Sequence, residues 1–239
     1  MRAFVALLVG VLIGAVAIFA ADRTGVIELS SSDATTTTET TETTVPEEST
    51  TTTDPAVDAA VALWPDPGSD KRFSSPEEVA RDFASNFIGF EEAVVGAFQA
   101  GDPSSGEVPV QPRVNGPITR VLVRQLVPGS WWATGAATDD IRLDSPEPGA
   151  VVRSPLRLTG AARAFEGTVQ VHVRADGASK PVGSGFVTGG GDQVSPFGGS
   201  VEFDEEAARP AEYGALVLME VSAEDGTAVN KATVIRIRF

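Results

Sequence analysis

The sequence predicts four consecutive regions: an N-terminal transmembrane helix, a disordered linker, a small α+β module and an all-β C-terminal sandwich. Three observations predict this order. Residues 3–21 form an uncharged apolar run, residues 30–55 are rich in threonine and glutamate, and short strand-like runs alternate with turns after Val151. The predicted boundaries are 1–23 for the helix, 24–59 for the linker, 60–144 for the α+β module and 145–239 for the sandwich.

The apolar run from Ala3 to Ala21 predicts a signal anchor that holds the protein in the cell membrane. At about 1.5 Å per residue it spans roughly 28 Å, enough to cross the hydrocarbon core of a bilayer. A cleaved signal peptide is the alternative, but the run is longer than a typical h-region and Ile18 or Phe19 would occupy the −3 position of a cleavage site. We expect a single-pass protein whose C-terminal region is extracytoplasmic, or a secreted one if this segment is cleaved.

The next segment has the composition of a flexible stalk. Residues 24–58 hold eight acidic residues and no lysine or arginine, and serine and threonine dominate residues 30–55. Such a segment has too little apolar surface to offset the entropy lost on ordering. We therefore expect a disordered spacer between the membrane and the folded part of the chain.

Composition excludes several classes of function. The chain has no cysteine, which excludes disulfides, thiol nucleophiles and cysteine-ligated metals. Its formal net charge of −15 does not favour nucleic acid as a partner, because nucleic-acid binding normally needs a basic face.

The α+β module is predicted to begin with an amphipathic helix. Ser75-Pro76-Glu77-Glu78 has the pattern of a helix start, with Ser75 as N-cap, Pro76 at the first helical position and Glu78 completing a capping box. An apolar stripe at three- and four-residue spacing follows, which predicts a helix with a kink or break at Gly89 that ends at Gly101-Asp102-Pro103. The stripe consists of Val79, Phe83, Phe87, Phe90 and Val94.

Three strand-like runs complete the module as an antiparallel meander. They are Val108–Val114, Ile118–Leu126 and Trp131–Ile141, separated by the turn pairs Asn115-Gly116 and Pro128-Gly129.

The last ninety residues predict an immunoglobulin-like sandwich without a disulfide. Val169, Val171 and Val173 alternate with polar residues, which indicates a strand with one buried and one exposed face. Roughly seven short strands with Asp-Gly turns fit this architecture. The further runs are Val182–Thr188, Ser200–Phe203, Ala215–Val221 and Thr233–Phe239.

Four motifs in this region resemble the immunoglobulin-like domain family associated with bacterial spore-germination proteins. The resemblance covers Val151–Phe239 and implies a β-sandwich in an exported envelope protein; it implies neither a defined activity nor a role in germination. The motifs are Ser154–Gly160, Ala162–Val169, Pro196-Phe197 and Ser222–Gly226.

The candidate catalytic and metal-binding residues favour structural roles. His172, the only histidine, is predicted to face solvent, and no serine elbow accompanies it. Arg163 and Glu166 are expected to make a structural ion pair or backbone contact beside Phe165. The carboxylate clusters Asp139-Asp140, Asp204–Glu206 and Glu224-Asp225 lack EF-hand spacing and are expected to be solvated loop charges. We therefore predict no catalytic, cofactor or metal site.

Trp131 and Trp132 are the predicted ligand-binding residues. Adjacent strand residues face opposite sides, so both rings cannot enter one core. An exposed ring would bind a sugar or a protein. In the alternative, the helix covers one ring and the neighbouring domain covers the other.

The leading functional hypothesis is a non-enzymatic binding or scaffolding protein of the bacterial cell envelope. Its partner would be a cell-wall polymer or an envelope protein, with the membrane contacted through the N-terminal helix. The alternatives are a structural subunit of an envelope complex and a carboxylate-dependent cell-wall hydrolase using acids such as Asp139, Asp140, Glu166 and Glu224.

Overall fold

The computed structural model describes residues 56–222 and 226–239, which lie within one compact unit spanning residues 52–239. The predicted membrane segment, residues 24–55 of the predicted linker, and Glu224-Asp225 lie outside the described residues. Within the two described ranges, no helix is both long and apolar enough to span a membrane.

The predicted helix start is confirmed. Helix α1 (Pro76–Asp82) has Ser75 as N-cap and Pro76 in its first turn, and the Glu78 amide donates to Ser75 Oγ at 3.2 Å. The Glu78 carboxylate accepts a hydrogen bond from Ser74 Oγ at 3.0 Å and not from the Ser75 amide, so only the Ser75 half of the predicted capping box forms.

The predicted extension of this helix to Gly101 is wrong. A π-helical segment (Phe83–Ile88) follows α1 and ends at Gly89, which has a left-handed backbone (φ 102°) and donates its amide to Ala84 O. A left-handed residue ends helical propagation, so Gly89 is a terminus and not a kink. Phe90 lies beyond the end of the helical segment and is buried in the apolar core all the same, and Val94 begins a strand.

Replacing Ser75 with alanine is expected to lower the free energy of unfolding by about 1 kcal/mol, because the amide of Glu78 loses its acceptor. Urea unfolding of the full-length chain measures this loss. Ser200→Ala, at an exposed strand position, is the control and should change stability by less than about 0.5 kcal/mol. Equal effects of the two substitutions would contradict the capping role.

The strands of the N-terminal half form an antiparallel meander, as predicted. The pairs Asn115-Gly116 and Pro128-Gly129 lie at turns, and Gly101-Asp102-Pro103 belongs to a hairpin in which Asp102 pairs with Ser105. The predicted third strand stops short of Ile141, which begins the next strand. The strands are β1 (Val94–Val95), β2 (Gln99–Asp102), β3 (Ser105–Gln111), β4 (Thr119–Val127) and β5 (Ser130–Ala137).

The C-terminal half is a β-sandwich consistent with an immunoglobulin-like fold. Its smaller sheet has the order β10-β7-β6, and β12, β11, β8 and β9 form the opposing layer. A short helix, α2 (Glu205–Ala208), precedes β11. The strands are β6 (Ile141–Ser145), β7 (Leu156–Ala162), β8 (Thr168–Ala175), β9 (Gly183–Thr188), β10 (Ser195–Val201), β11 (Tyr213–Val221) and β12 (Val229–Arg238).

One nine-stranded sheet runs through both halves. Strand β12 pairs with β11 along its length and meets β5 where Val234 lies opposite Ala136. One face of this sheet packs under α1 and the π-helical segment; the other packs against the smaller sheet. Residues of β11 therefore alternate between the two apolar cores, whereas β8 contributes Val169, Val171 and Val173 to the core against the smaller sheet only.

Candidate functional site

Trp131 and Trp132 face opposite sides of β5, as the alternation predicts. The Trp132 ring has no exposed surface and lies under the Arg72 guanidinium, 5.3 Å from the ring centroid. Trp131 is half-buried and makes an edge contact with Phe98 at 5.3 Å between centroids. Ligand binding by this pair stays a prediction, and Trp131 is the member that keeps exposed surface.

His172 differs from its prediction. It pairs with Val217, which belongs to the core under the helices, and it is half-buried, with its Nδ1 atom shielded from solvent. Burial, followed by the positive charge of Arg174, holds the pKa of His172 below its ordinary value. The strand alternation identified the polar face correctly but could not show that this face is half-buried at His172.

The described carboxylate clusters have structural partners. Asp139 receives two hydrogen bonds from Arg120, and Asp204 caps α2 by accepting from the amides of Glu206 and Ala207. Glu205 accepts from the Ser154 amide at 2.7 Å. Over residues 56–222 and 226–239, no group of three or more acidic or histidine side chains is arranged to hold a metal ion.

Asp140 belongs to a cluster of four charges in which Asp140, Glu220 and Lys231 are nearly buried and Arg163 is half-exposed. Lys231 Nζ lies 2.9 Å from Asp140 Oδ2 and 3.0 Å from Glu220 Oε2, and it donates to the Arg163 carbonyl at 3.0 Å. Arg163 Nη2 is 2.6 Å from Asp140 Oδ1. Two positive and two negative charges make the cluster neutral. The three protons of the Lys231 ammonium group also have three acceptors.

The cluster fixes the ionisation of Asp140. Burial alone would raise the pKa of this carboxyl, but the hydrogen bonds and charges of Lys231 and Arg163 outweigh burial and lower it. The expected ion pair of Arg163 is thus present, although its partner is Asp140 and not Glu166.

The same cluster holds an exposed aromatic residue in place. The Phe165 amide donates to Glu220 Oε2 at 3.0 Å, and neighbouring Ala164 donates to the Gly190 carbonyl at 2.9 Å. The Phe165 side chain is 56% exposed. A large apolar side chain is therefore presented to solvent by backbone that is anchored on both sides.

Backbone strain marks the residue that follows Phe165. Glu166 has φ 51°, a left-handed conformation that is uncommon for non-glycine residues and that persists only where the surroundings enforce it. Gly167 also has positive φ, and a Cβ there would lie 2.7 Å from the Gly189 carbonyl oxygen. The backbone of loop 163–167 is thus held in a defined conformation by its surroundings.

A cleft of about 540 Å³ adjoins this loop. Its floor carries Asp140, Glu220 and Lys231, and its rim carries Phe165, Glu166 and Asp192. Because the floor charges bind one another, the rim residues are the ones available to a partner. An exposed aromatic ring beside two carboxylates is suited to macromolecular contact, since aromatic residues dominate the centres of interfaces.

A family model matches residues 140–227. It is the immunoglobulin-like domain of bacterial spore germination. This match confirms the resemblance found in the sequence, and it contains three of the four cluster charges together with Phe165; Lys231 lies just beyond it. No curated protein and no solved structure matches the chain. Immunoglobulin-like domains of this family are not known as catalytic, which supports a binding or scaffold role in general terms.

The charged cluster is the part of the site that the motif-based reading of the sequence did not find. Asp140 and Lys231 are 91 residues apart, and no local pattern links them. One signal was present: Glu220 ends the apolar run Ala215–Met219, and Lys231 is the only charge in the run Lys231–Ile235. Opposite charges in two such neighbouring strands indicate a buried pair, because neither is tolerated in a core alone.

Proposed function

We propose that this protein is a non-enzymatic binding or scaffolding protein of the bacterial cell envelope, tethered by its N-terminal segment. The apolar run Ala3–Ala21 and the threonine-rich stalk support an extracytoplasmic location. The match over residues 140–227 supports a binding or scaffold role. The observation that carries the proposal is Phe165, exposed on a loop whose backbone is fixed by buried charges.

The partner that best fits this surface is an envelope protein. An exposed phenylalanine on an anchored backbone offers a large apolar contact with little loss of backbone entropy on binding, as interface hot spots do. The flanking carboxylates Glu166 and Asp192 favour a partner with basic groups around an apolar pocket.

Photo-crosslinking in intact cells tests this surface. The full-length chain carries benzoyl-phenylalanine in place of Phe165 or, as a matched control, in place of Phe186, which is 66% exposed on the neighbouring strand β9 and does not line the cleft. We expect one discrete adduct from position 165, at least about threefold more abundant than any adduct from position 186. No adduct at 165, or equal adducts at both positions, would contradict the proposal.

A carboxylate-dependent hydrolase is the less supported function. Hydrogen bonds and the charge of Arg120 lower the pKa of Asp139, and Asp140 also has a lowered pKa. Carboxyl groups with a lowered pKa stay ionised near neutral pH and are therefore poor general acids. Release of sugar fragments from cell-wall material by the purified protein would support the hydrolase alternative.

A further inference from the structure

A second cleft, of about 390 Å³, lies at the end of β8 opposite to Phe165. It is bounded by the chain entering the fold near Trp64, by the end of the π-helical segment and by the loop after β8. The aromatic and charged side chains that line it are those of Trp64, Asp66, Phe87, Arg174, Asp176 and Lys180.

Arg174 lines this cleft as a half-buried cation without a counter-ion. Its Nη1 atom donates to the Phe87 carbonyl at 2.7 Å, and its guanidinium carbon lies 4.8 Å from the centre of the Phe87 ring. Its Nε atom is shielded from solvent and has no hydrogen-bond partner. No carboxylate of the described chain lies within ion-pair distance of Arg174.

Two further buried cations, Lys231 and Arg236, are neutralised. Lys231 has Asp140 and Glu220, and Arg236, only 4% exposed, binds both oxygens of Asp176. Burial lowers the pKa of Arg174, which means that the charged form is under-solvated there. A carbonyl and an aromatic ring compensate this in part, and an anion would do so in full.

The acids lining the cleft do not fill that role. Asp176 is bound by Arg236, and Asp66 Oδ1 accepts a hydrogen bond from the Gly68 amide in its own loop. Lys180 is exposed and forms no ion pair with the described residues. With Asp176 neutralised by Arg236, the remaining charged residues that line the cleft are Arg174, Lys180 and Asp66, which leave one net positive charge.

We propose that this cleft binds an oxyanion, a carboxylate or phosphate group, through the guanidinium of Arg174, with Lys180 as a second cation. Guanidinium groups bind both oxyanions through paired N–H donors. The site is separate from the Phe165 surface, so it stands or falls independently of the proposed function.

His172 provides a direct readout. It is the only histidine of the chain and lies two residues before Arg174 on the same strand face. Because the charge of Arg174 contributes to the low pKa of His172, an anion bound to Arg174 cancels part of that charge and raises the pKa. The experiment follows the His172 ring proton by NMR across pH in the full-length chain, with inorganic phosphate, acetate or chloride at equal ionic strength.

We expect phosphate or acetate to raise the His172 midpoint by roughly 0.3 pH unit or more relative to chloride. Arg157→Gln, an exposed arginine on β7, is the matched control and should behave like wild type. In Arg174→Gln the midpoint starts higher and should not respond to either anion. The anion that acts at the lower concentration identifies the preferred group.

Two results would overturn the proposal: no response of the wild type to either anion, or a response that persists in folded Arg174→Gln. If Arg174→Gln does not fold, Lys180→Gln is the deciding variant, because replacement of an exposed side chain should leave the fold intact. We expect this variant to weaken the apparent affinity about two- to fivefold, and an unchanged affinity would overturn the site.

Discussion

Replacing Lys231 with methionine will lower the free energy of unfolding by about 3–5 kcal/mol. The substitution removes the cation that bridges Asp140 and Glu220, whose side chains are 15% and 12% exposed. Two carboxylates are then left without their shared partner in a poorly hydrated site. Chemical denaturation of the full-length protein, followed by tryptophan fluorescence, measures the loss.

Arg142→Met is the matched control for Lys231→Met. Arg142 also pairs with a carboxylate, Asp144, but the two side chains are 70% and 52% exposed. Exposed pairs contribute little, so this variant should lose less than about 0.5 kcal/mol. A loss below about 1 kcal/mol for Lys231→Met would show that water or side-chain rearrangement replaces the ammonium group.

The same network predicts a response to acid. Asp140 has a lowered pKa in the folded state, so its ionised form stabilises the fold above the unfolded value of 3.8. That contribution is lost as the pH falls below this value and through the folded pKa.

Because Glu220 also binds the Phe165 amide, we expect the photo-crosslink at position 165 to weaken in Lys231→Met along with stability.

The parts of the fold that the sequence predicts are those determined by near neighbours. Ser75 and Pro76 define the start of α1, and Asn115-Gly116 and Pro128-Gly129 define turns, because each acts through its own backbone. The period-two pattern at Val169–Val173 likewise gives a strand whose alternate side chains enter one core.

The parts that the sequence did not predict depend on contacts between distant segments. The helix pattern continues past Gly89 because Phe90 is buried by tertiary contacts, and Arg174, on the same strand face as His172, binds the Phe87 carbonyl 87 residues earlier in the chain. The junction of β5 with β12 joins residues 136 and 234. Periodicity describes which faces are apolar but not which distant element covers them.

Replacing Trp132 with alanine will destabilise the protein by about 3–5 kcal/mol. The ring is completely buried, so its removal leaves a large cavity beneath Arg72. Its indole N–H has no hydrogen-bond partner among the described residues. Trp132→Phe, which keeps most of the volume and gives up no hydrogen bond, should therefore lose much less, about 1–2 kcal/mol.

Trp131→Ala is the comparison that separates packing from ligand contact at this pair. Because Trp131 is half-buried against Phe98, we expect a loss of about 1–2 kcal/mol, well below that of Trp132→Ala. Equal losses at both positions would contradict the burial difference. Any loss of binding in Trp132→Ala then reflects a damaged fold, whereas a loss in stably folded Trp131→Ala would identify Trp131 as the ligand contact, because only its ring reaches solvent.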